Sequence, residues 1–254
     1  MRIAVVTGAS SGMGREFVLA LEKEYRDQLE EIWVLARRRQ RLEKLQSESS
    51  VPLRIFSIDL QKPQEYQSYL DALQKEKPKV GILVNGAGLG KIGNFSKISR
   101  EGNLSMIQLN CHVLTKITYD TLPYMKSKSK IVNLASSAAF LPQAGFGVYA
   151  ASKSYVLSFS RALYWELKQQ NIHVMAVCPG PVKTEFFQVA EEFETMAAYK
   201  KFFLADPKRV VKKAIRDLKR GREVSVYGLS MQAICLAAKL LPNSLLLKMF
   251  SKSQ

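Results

Sequence analysis

Seven short runs of apolar residues recur along the chain, each of strand length and rich in β-branched side chains. They are RIAVVT (2–7), EIWVLA (31–36), LRIFSI (53–58), VGILVN (80–85), KIVNLA (130–135), IHVMAV (172–177) and EVSVYG (223–228). Strands whose apolarity is nearly continuous, rather than alternating with polar residues, are buried on both faces. The pattern therefore predicts seven strands that are covered by other elements on both sides.

Helical patterns lie between these runs. They are GREFVLALEKEY (14–25), RRRQRLEKLQSE (37–48), PQEYQSYLDALQKE (63–76) and SYVLSFSRALYWELKQQ (154–170). In the first of them Phe17, Leu21 and Tyr25 share one apolar stripe. Strands that alternate with helices predict right-handed crossovers and an α/β fold with a doubly wound, seven-stranded parallel sheet flanked by helices.

The chain shows no repeat, no low-complexity linker and no change of composition before about residue 185, so we expect a single domain over 1–254. Within it we expect a core over 1–185, which would carry the functional residues. A segment rich in Phe over 186–222 is predicted to form a lid or insertion. The last strand and an apolar tail would follow over 223–254.

Composition narrows the class of protein. The 254 residues are 47% hydrophobic, which is ordinary for a globular protein. The formal net charge is +16, with basic residues concentrated at 37–44, 126–130 and 200–222. The first two runs lack the interleaved aromatic residues of a single-strand binder, so we expect no nucleic-acid partner. The third run precedes an apolar stretch, which leaves open a peripheral membrane contact through the C-terminal tail.

Targeting signals and metal motifs are not evident in the sequence. The N-terminal apolar run is too short for a signal peptide, and no uncharged apolar stretch reaches about 18 residues. Cys111, Cys178 and Cys235 are odd in number and widely spaced, without metal-ligand spacing. We therefore expect no metal, no disulfide and a reducing, cytoplasmic location.

A glycine-rich loop, TGASSGMG (7–14), joins the first predicted strand to the first helix. Its glycines let the backbone approach a ligand closely, and the helix N-terminus offers N–H groups to a pyrophosphate. This context predicts a Rossmann-type dinucleotide site. Its loop residues are Gly8, Ser10, Ser11, Gly12, Met13 and Gly14.

The same loop contains G-x-S-x-G, the pattern of a hydrolase nucleophile elbow centred on Ser10. Such an enzyme needs a His after the Ser, and the sequence offers only His112 and His173. His173 falls in a predicted buried strand, and only a few residues precede Gly8 to supply a second oxyanion donor. We therefore favour the dinucleotide site over the hydrolase.

The tip of the second strand bears on the choice of nucleotide. An acidic residue there commonly holds a ribose 2′-OH, but this strand ends in Leu35-Ala36-Arg37-Arg38. Arg37 would bind a 2′-phosphate and Arg38 would flank the adenine, which favours NADP(H) over NAD(H). The alternative is that both arginines belong to the first turn of a solvated basic helix.

The pentapeptide YAASK (149–153) places a phenol and an ammonium one helical turn apart. Free Tyr has a pKa near 10 and is a poor base at neutral pH. We expect the charge of Lys153 to lower the pKa of Tyr149 and so to make it a proton-transfer group. Alone, the motif is equally consistent with an ordinary helix face.

In order, TGASSGMG, NGAG (85–88), NLASS (133–137), YAASK and CPGPVKT (178–184) resemble the short-chain dehydrogenase/reductase family over about residues 1–185. The resemblance implies an oxidoreductase that interconverts a ketone or aldehyde and an alcohol by hydride transfer. It also implies a homodimer or homotetramer. The catalytic residues it implies are Ser136, Tyr149, Lys153 and Asn110, with Ser137 as the neighbouring alternative to Ser136. Asn110 would hold a water that links Lys153 to solvent.

The resemblance also implies the cofactor contacts. Beyond the glycine loop, Arg37 and Arg38, they are Asp59, Leu60, Asn85, Ala87, Gly88, Tyr149, Lys153, Pro179, Gly180, Val182 and Thr184. Two positions depart from the family pattern. Gly86 stands where the usual motif has a second Asn, and Ser11 stands where some NADP users carry a basic residue.

The expected substrate pocket is apolar. Its candidate residues are Ser136, Tyr149, Phe140, Leu141, Pro142, Phe146, Phe186 and Phe187. They favour a hydrophobic carbonyl substrate, although aromatic residues also serve as core or subunit contacts. Two further interpretations stay open, a non-catalytic NADP-binding sensor or scaffold of the same fold and a peripheral membrane protein.

Overall fold

The computed structural model describes residues 2–186, 190 and 204–240, and it confirms a doubly wound sheet of seven parallel strands. The strands are β1 (Arg2–Thr7), β2 (Glu31–Ala36), β3 (Leu53–Ser57), β4 (Lys79–Asn85), β5 (Met125–Leu134), β6 (His173–Val177) and β7 (Val224–Ser225). Their order across the sheet is β3-β2-β1-β4-β5-β6-β7. The chain therefore reverses its direction of winding between β1 and β4, where ligand crevices form in such sheets.

The described helices cover both faces of the sheet. They are α1 (Gly12–Tyr25), α2 (Arg39–Glu48), α3 (Pro63–Glu76), α4 (Arg100–Ile107), α5 (Leu114–Thr121), α6 (Gly147–Leu167), α7 (Pro207–Lys219) and α8 (Leu229–Leu240). A π-helical turn, Gln108–Val113, joins α4 to α5, and a short 3₁₀ turn, Ser137–Phe140, follows β5.

Strand periodicity sorts the buried side chains into two cores. Ala4 and Val6 of β1 point to one face, where they meet α1, α2 and α7. Ile3 and Val5 point to the other face, where they meet α3, α5 and α6. The near-continuous apolar runs are therefore explained, because both faces of each central strand are covered.

The C-terminal third departs from the sequence expectations. The last strand is only Val224–Ser225 rather than residues 223–228, and Gly228 turns the chain at φ +88° into α8. Residues 207–219 of the expected lid instead form α7, whose Val211 and Leu218 are buried against α1 in the first core. That part of the segment is structural, because its apolar stripe completes the core.

Two findings concern membranes and metals. Within the ranges described, no helix combines the length and apolarity needed to cross a bilayer. The same part of the chain holds no group of three or more metal-binding side chains. Cys111, Cys178 and Cys235 are free thiols.

Candidate active site

One cleft of about 440 Å³ runs along the carboxyl ends of the strands. It brings together most of the residues singled out from the sequence. Those lining it are Gly8, Ser10, Ser11, Gly12, Met13, Gly14, Arg37, Arg38, Asp59, Leu60, Ala87, Gly88, Ser136, Leu141, Phe146, Tyr149, Lys153, Pro179, Gly180, Val182, Thr184 and Phe186. Asn85 and Asn110 do not line the cleft.

The glycine loop forms the end of the cleft beside β1. Gly8 has φ +69°, a left-handed conformation that favours glycine. A Cβ on Gly14 would lie 2.3 Å from the carbonyl oxygen of Gly8, so the loop and the first turn of α1 pack backbone against backbone. Only residues without a side chain allow this approach, and it leaves room for a ligand above the loop.

Thr7, the last residue of β1, ties the loop to the neighbouring turn after β4. Its buried hydroxyl accepts hydrogen bonds from the backbone N–H groups of Gly86 (3.0 Å) and Ala87 (3.1 Å). Thr7 was not among the residues predicted from the sequence. The signal available was its polar side chain at the end of an otherwise apolar strand.

The N-terminus of α1 suits an anionic group. Ser11 occupies the N-cap position, yet its side chain makes no capping hydrogen bond. The hydroxyl of Ser11 instead accepts a hydrogen bond from Arg38 at 2.6 Å. The first N–H groups of the helix thus receive no side-chain cap and stand at the cleft, the arrangement that binds pyrophosphate in dinucleotide folds. The residues present therefore fit a dinucleotide.

The strand tip that follows β2 is strongly basic. Arg37 and Arg38 both line the cleft. Arg38 also pairs with the carboxylate of Glu185 at 2.7 Å, and Arg41 pairs with the same carboxylate at 2.5 Å. The hydrogen bonds from both arginines keep the pKa of Glu185 below its usual value. Glu185 was not identified from the sequence.

Asp59 and Leu60 follow β3 and line the cleft. The Asp59 carboxylate accepts a hydrogen bond from the backbone N–H of Gln61 at 3.0 Å. Its own N–H donates to the Glu65 carboxylate at 2.6 Å, which fixes the turn. Both residues are therefore placed beside the region where an adenine is expected.

Asn85 departs from the sequence expectation that it contacts the cofactor. Its side-chain amide is buried and donates to the Thr118 hydroxyl (2.9 Å) and to the Asn133 side-chain oxygen (2.8 Å). Asn133 in turn donates to Ser160 at 2.9 Å. The side chain therefore points between the sheet and α5, where it links β4 and β5 to the helices beneath the cleft.

Ser136, Tyr149 and Lys153 meet at the opposite end of the cleft from the basic strand tip. Ser136 caps the 3₁₀ turn after β5 by accepting from the N–H of Ala138 at 3.1 Å, and its hydroxyl hydrogen-bonds to Tyr149. Lys153 donates to the carbonyl of Leu134 at 2.7 Å. Its Nζ lies 5.7 Å from the centre of the Tyr149 ring. The first turns of α6 thus bring the phenol and the ammonium onto one face.

The pKa values of this pair differ from the sequence expectation. Burial raises the pKa of Tyr149 to about 12, although the hydrogen bond from Ser136 opposes the shift. Burial lowers the pKa of Lys153 to about 8. The expected lowering of the Tyr149 pKa by Lys153 is therefore not found in the protein alone, because burial disfavours the charged form of both groups.

Asn110 lies on the π-helical turn and holds the loop that follows β4. Its side-chain oxygen accepts from the N–H of Leu89 (2.9 Å), and its amide donates to the carbonyl of Leu89 (2.8 Å) and to Ser152 (2.9 Å). These bonds occupy the fully buried amide. In this arrangement its side chain positions residues 88–90 beside Lys153.

Aromatic rings enclose Tyr149. Phe146 stacks on it with ring centres 4.2 Å apart, and Phe186 lies 5.4 Å away at a tilt of 51°. A Cβ on Gly90 would lie 2.4 Å from the Phe186 ring and 3.1 Å from the Tyr149 ring. The phenol of Tyr149 is therefore only 7% exposed and faces an apolar space.

The apolar end of the cleft includes residues that sequence analysis missed and excludes one that it named. Met231 and Ile234 of α8 line it together with Leu89 and Ile92. Phe140 instead packs with the buried cluster around Val156, because it points from the 3₁₀ turn towards α6 rather than into the cleft. Pro142 does line the cleft, and Phe187 lies outside the described residues.

Neither His112 nor His173 lies near Ser10, where a hydrolase would need a base. His173 begins β6 at its amino end, whereas the cleft lies at the carboxyl ends, and the His173 ring bonds to the carbonyl of Arg222 at 3.1 Å. His112 lies on the π-helical turn and does not line the cleft. The Ser10 hydroxyl instead accepts from Arg38 at 3.2 Å.

Fold and cleft together define a dinucleotide-binding α/β protein with a Ser-Tyr-Lys site at the far end from its phosphate loop. The model of the family described as short chain dehydrogenase matches residues 2–195. The chain therefore belongs to the short-chain dehydrogenase/reductase family and is an oxidoreductase.

Named relatives agree with that placement. An uncharacterized oxidoreductase of Staphylococcus epidermidis is 30% identical over 185 residues, which cover 72% of this chain and 79% of the relative. The NADP-dependent 3-hydroxy acid dehydrogenase YdfG of Shigella flexneri is 32% identical over 191 residues, covering 74% and 75%. A short-chain dehydrogenase from Sphingobium yanoikuyae, solved in complex with NADPH, superposes with a TM-score of 0.79 at 28% identity and covers 97% of this chain and 95% of its own.

Proposed function

We propose that this protein is an NADP(H)-dependent oxidoreductase that interconverts an apolar ketone or aldehyde and its alcohol, with Tyr149 as the general acid and base. The observation that supports it most is the meeting of Ser136, Tyr149 and Lys153 in the same cleft as the phosphate loop. A sensor or scaffold of this fold has no need for those three groups together.

In reduction, Tyr149 donates its proton to the substrate oxygen, which the Ser136 hydroxyl holds beside it. A nicotinamide cofactor supplies the hydride in this direction and accepts it in the other. The raised pKa of Tyr149 suits reduction, because the phenol is protonated at neutral pH. In oxidation Tyr149 must first lose its proton. Because Lys153 does not lower the pKa of Tyr149 in the protein alone, we propose that the positive charge of an oxidised nicotinamide would add to that of Lys153 in favouring the phenolate.

The cofactor would be held by the residues that line the cleft around it. The glycine loop and the N-terminus of α1 would bind the pyrophosphate, and Arg37 the 2′-phosphate. Asp59 and Leu60 would contact the adenine, with Arg38 flanking it. Lys153 would bind the nicotinamide ribose, and the segment 179–184 would hold the carboxamide. The NADPH-bound relative from Sphingobium and the NADP-dependent relative from Shigella support this preference.

An apolar substrate is favoured by the residues around Tyr149. In the described part of the cleft the cations are Arg37 and Arg38, which lie at the cofactor end, and Lys153. Among the described lining residues, a carboxylate on the substrate would thus find no cation near Phe146 and Phe186 except Lys153, which donates to the carbonyl of Leu134. The relative from Shigella is named for a 3-hydroxy acid, so we expect the two proteins to differ in substrate.

Cofactor oxidation in the presence of a panel of carbonyl compounds tests the proposal. Tyr149→Phe should lower kcat by roughly a thousandfold, the scale of a lost general acid, while its Kd for NADPH stays within a factor of about two. Tyr164→Phe is the matched control, because Tyr164 lies on the same helix, packs on the ring of His173 and is absent from the cleft. Unchanged turnover in Tyr149→Phe would contradict the assignment of Tyr149 as the general acid and base.

The nucleotide preference has its own test. We expect the wild type to bind NADPH more tightly than NADH and Arg37→Asp to reverse the order, because a carboxylate repels a phosphate and accepts from a ribose hydroxyl. Calorimetric titration with both nucleotides measures it. Equal affinities of the wild type for NADPH and NADH would contradict the NADP(H) preference but not the oxidoreductase activity. Tight NADPH binding without turnover of any carbonyl would favour a non-catalytic NADP-binding sensor.

We also propose that the protein is a cytoplasmic homodimer or homotetramer. Exposed apolar side chains lie on and near α4 and α6, namely Phe95, Leu104, Ile107, Tyr155 and Trp165. Such clusters commonly mark subunit contacts. Light scattering coupled to size exclusion should give two or four chains, and Trp165→Glu should lower that number. Flotation with liposomes tests the alternative membrane contact of residues 224–254.

A further inference from the structure

The carboxylate of Glu185 bridges the two walls of the cleft at its cofactor end. It accepts from Nη1 of Arg38 at 2.7 Å and from Nη1 of Arg41 at 2.5 and 2.7 Å. Arg38 precedes α2 and Arg41 lies within it, whereas Glu185 follows β6 about 150 positions later in the chain. One acidic side chain thus joins segments that lie on either side of the predicted nucleotide.

All three nitrogens of the Arg38 guanidinium are engaged. Nη1 donates to Glu185, Nη2 donates to Ser11 (2.6 Å) and Ser10 (3.2 Å), and Nε donates to Ser10 (3.3 Å). A phosphate that binds Arg38 through a guanidinium edge must therefore replace one of these acceptors. Glu185 is the only anion among them.

The residues on either side of Glu185 contact the phosphate loop and Tyr149. Thr184 lies against the phosphate loop, since a Cβ on Gly12 would come within 3.3 Å of its methyl group. Phe186 packs on the ring of Tyr149. The segment 184–186 therefore touches the phosphate loop, the basic strand tip and the catalytic phenol within three residues.

We infer that Glu185 competes with the 2′-phosphate of NADP(H), which Arg37 would hold, for the neighbouring Arg38 and Arg41. When this phosphate binds, Glu185 releases both arginines and thereby frees Phe186 from Tyr149. The inference rests on the proposed function, because it requires an NADP(H) site beside Arg37 and Arg38. It adds to that function a role for Glu185, which would set the affinity for the nucleotide and would link nucleotide binding to the access of substrate to Tyr149.

Charge and exposure favour the exchange. A phosphate monoester carries nearly two negative charges at neutral pH and three acceptor oxygens, against one charge and two oxygens for the carboxylate. The side chains of Arg38, Arg41 and Glu185 are 44%, 46% and 39% exposed, so their ion pairs are weak and water can replace them. A nucleotide without the 2′-phosphate offers nothing to displace Glu185 from the arginines.

Fragments of the cofactor separate this effect from catalysis. Isothermal titration should compare adenosine 2′,5′-bisphosphate with adenosine 5′-monophosphate on the wild type and Glu185→Gln. We expect the variant to raise the affinity ratio of bisphosphate to monophosphate by roughly three- to tenfold, the scale of one or two exposed ion pairs. Glu43→Gln is the matched control, because Glu43 pairs with Arg39 at 2.8 Å on α2, removes the same charge and does not line the cleft.

A tryptophan reporter follows the release of Phe186. In Phe186→Trp the emission, after subtraction of the wild-type signal, should shift to the red with the bisphosphate and stay constant with the monophosphate. Adding Glu185→Gln should give the shifted emission before any nucleotide is present. The four samples are Phe186→Trp without nucleotide, with the bisphosphate and with the monophosphate, and the double variant without nucleotide. An identical spectrum in all four would overturn the link between the phosphate and Phe186.

The outcomes distinguish the inference from the function on which it rests. If wild-type protein binds the bisphosphate no better than the monophosphate, the NADP(H) preference fails and the inference fails with it. If the wild type prefers the bisphosphate but Glu185→Gln leaves or lowers the ratio, the preference stands and the competition by Glu185 is wrong. A raised ratio in Glu185→Gln, absent from Glu43→Gln, supports the inference.

Discussion

The two ends of the cleft differ in what surrounds their glycines. At the cofactor end, a side chain on Gly14 would meet the backbone of Gly8 at 2.3 Å. At the substrate end, a side chain on Gly90 would meet the ring of Phe186 at 2.4 Å. The close contact is equally tight in both places, but a backbone in a packed loop cannot yield and an aromatic side chain can rotate.

This difference separates what the fold fixes from what it leaves adjustable. The phosphate loop at the cofactor end is built from backbone atoms, N–H groups and a helix N-terminus, which a side chain added at one of its glycines would disturb together. The substrate end is built from rings and aliphatic side chains, whose replacement reshapes the space without moving the chain. We therefore expect substitutions at the first end to act on stability and nucleotide binding, and at the second on substrate choice.

Gly14→Ala tests the rigid end and should have the largest effect. The added methyl group overlaps the Gly8 carbonyl, so we expect the free energy of unfolding to fall by about 2–4 kcal/mol and nucleotide binding to be lost. Urea denaturation and titration with NADPH measure both. Gly147→Ala is the control, because nothing lies within 4 Å of its Cβ position. Equal stabilities for the two variants would contradict a backbone-built cofactor end.

Lys153 lies beside Tyr149 at the end of the cleft away from the phosphate loop, and its charge should make stability depend on pH. Burial lowers its pKa from 10.5 to about 8, so between these values the unfolded chain binds more protons than the folded one. Lys153 therefore makes the folded state more stable as pH rises from about 8 to 10.5. Below pH 8 the full free-energy cost of burying its charged ammonium is present.

Lys153→Met should remove this contribution. We expect the difference in unfolding free energy between variant and wild type to change by about 1–3 kcal/mol from pH 8 to 10.5, measured by urea denaturation. Lys116→Met serves as the control, since Lys116 lies on α5 and is absent from the cleft. A constant difference across the window would show that Lys153 is not buried with a perturbed pKa.

Gly90→Ala tests the adjustable end and should have the smallest effect. Because the ring of Phe186 can rotate away from the new methyl group, we expect the unfolding free energy to fall by less than about 1 kcal/mol. The kcat/KM for bulky ketones should drop by roughly three- to tenfold while the Kd for NADPH is kept. If nucleotide affinity falls instead, the two ends are not separable.

Sequence analysis predicted the parts of the site that depend on residues close together in the chain better than those that depend on contacts between distant segments. The glycine loop and the Tyr149–Lys153 pair depend on residues within one or two turns of chain, so their spacing was informative. Asn85 was predicted to contact the cofactor because its motif, NGAG (85–88), resembles the family pattern. Its side chain turns inward, since the last residue of β4 faces α5 and finds Thr118 there.

Contacts between distant segments had no such local signal. The pairing of Glu185 with Arg38 joins positions 147 apart, and Met231 reaches Gly180 from α8. Phe140 and Leu141 are adjacent, yet only the second faces the cleft, because the 3₁₀ turn sets their directions. The apolar stretch after residue 223 suggested a strand and a tail, but Gly228 ends the strand early and a helix follows.

The two hydrogen bonds that Thr7 accepts also bear on how the protein is made. Gly86 and Ala87 lie 79 and 80 positions after it, so the floor beneath the nucleotide cannot close until that stretch has left the ribosome. Four strands precede Gly86, and β1 lacks its neighbour β4 until the last of them is complete. During translation the exposed edge of β1 is open to mispairing, and completion of β4 ends that exposure.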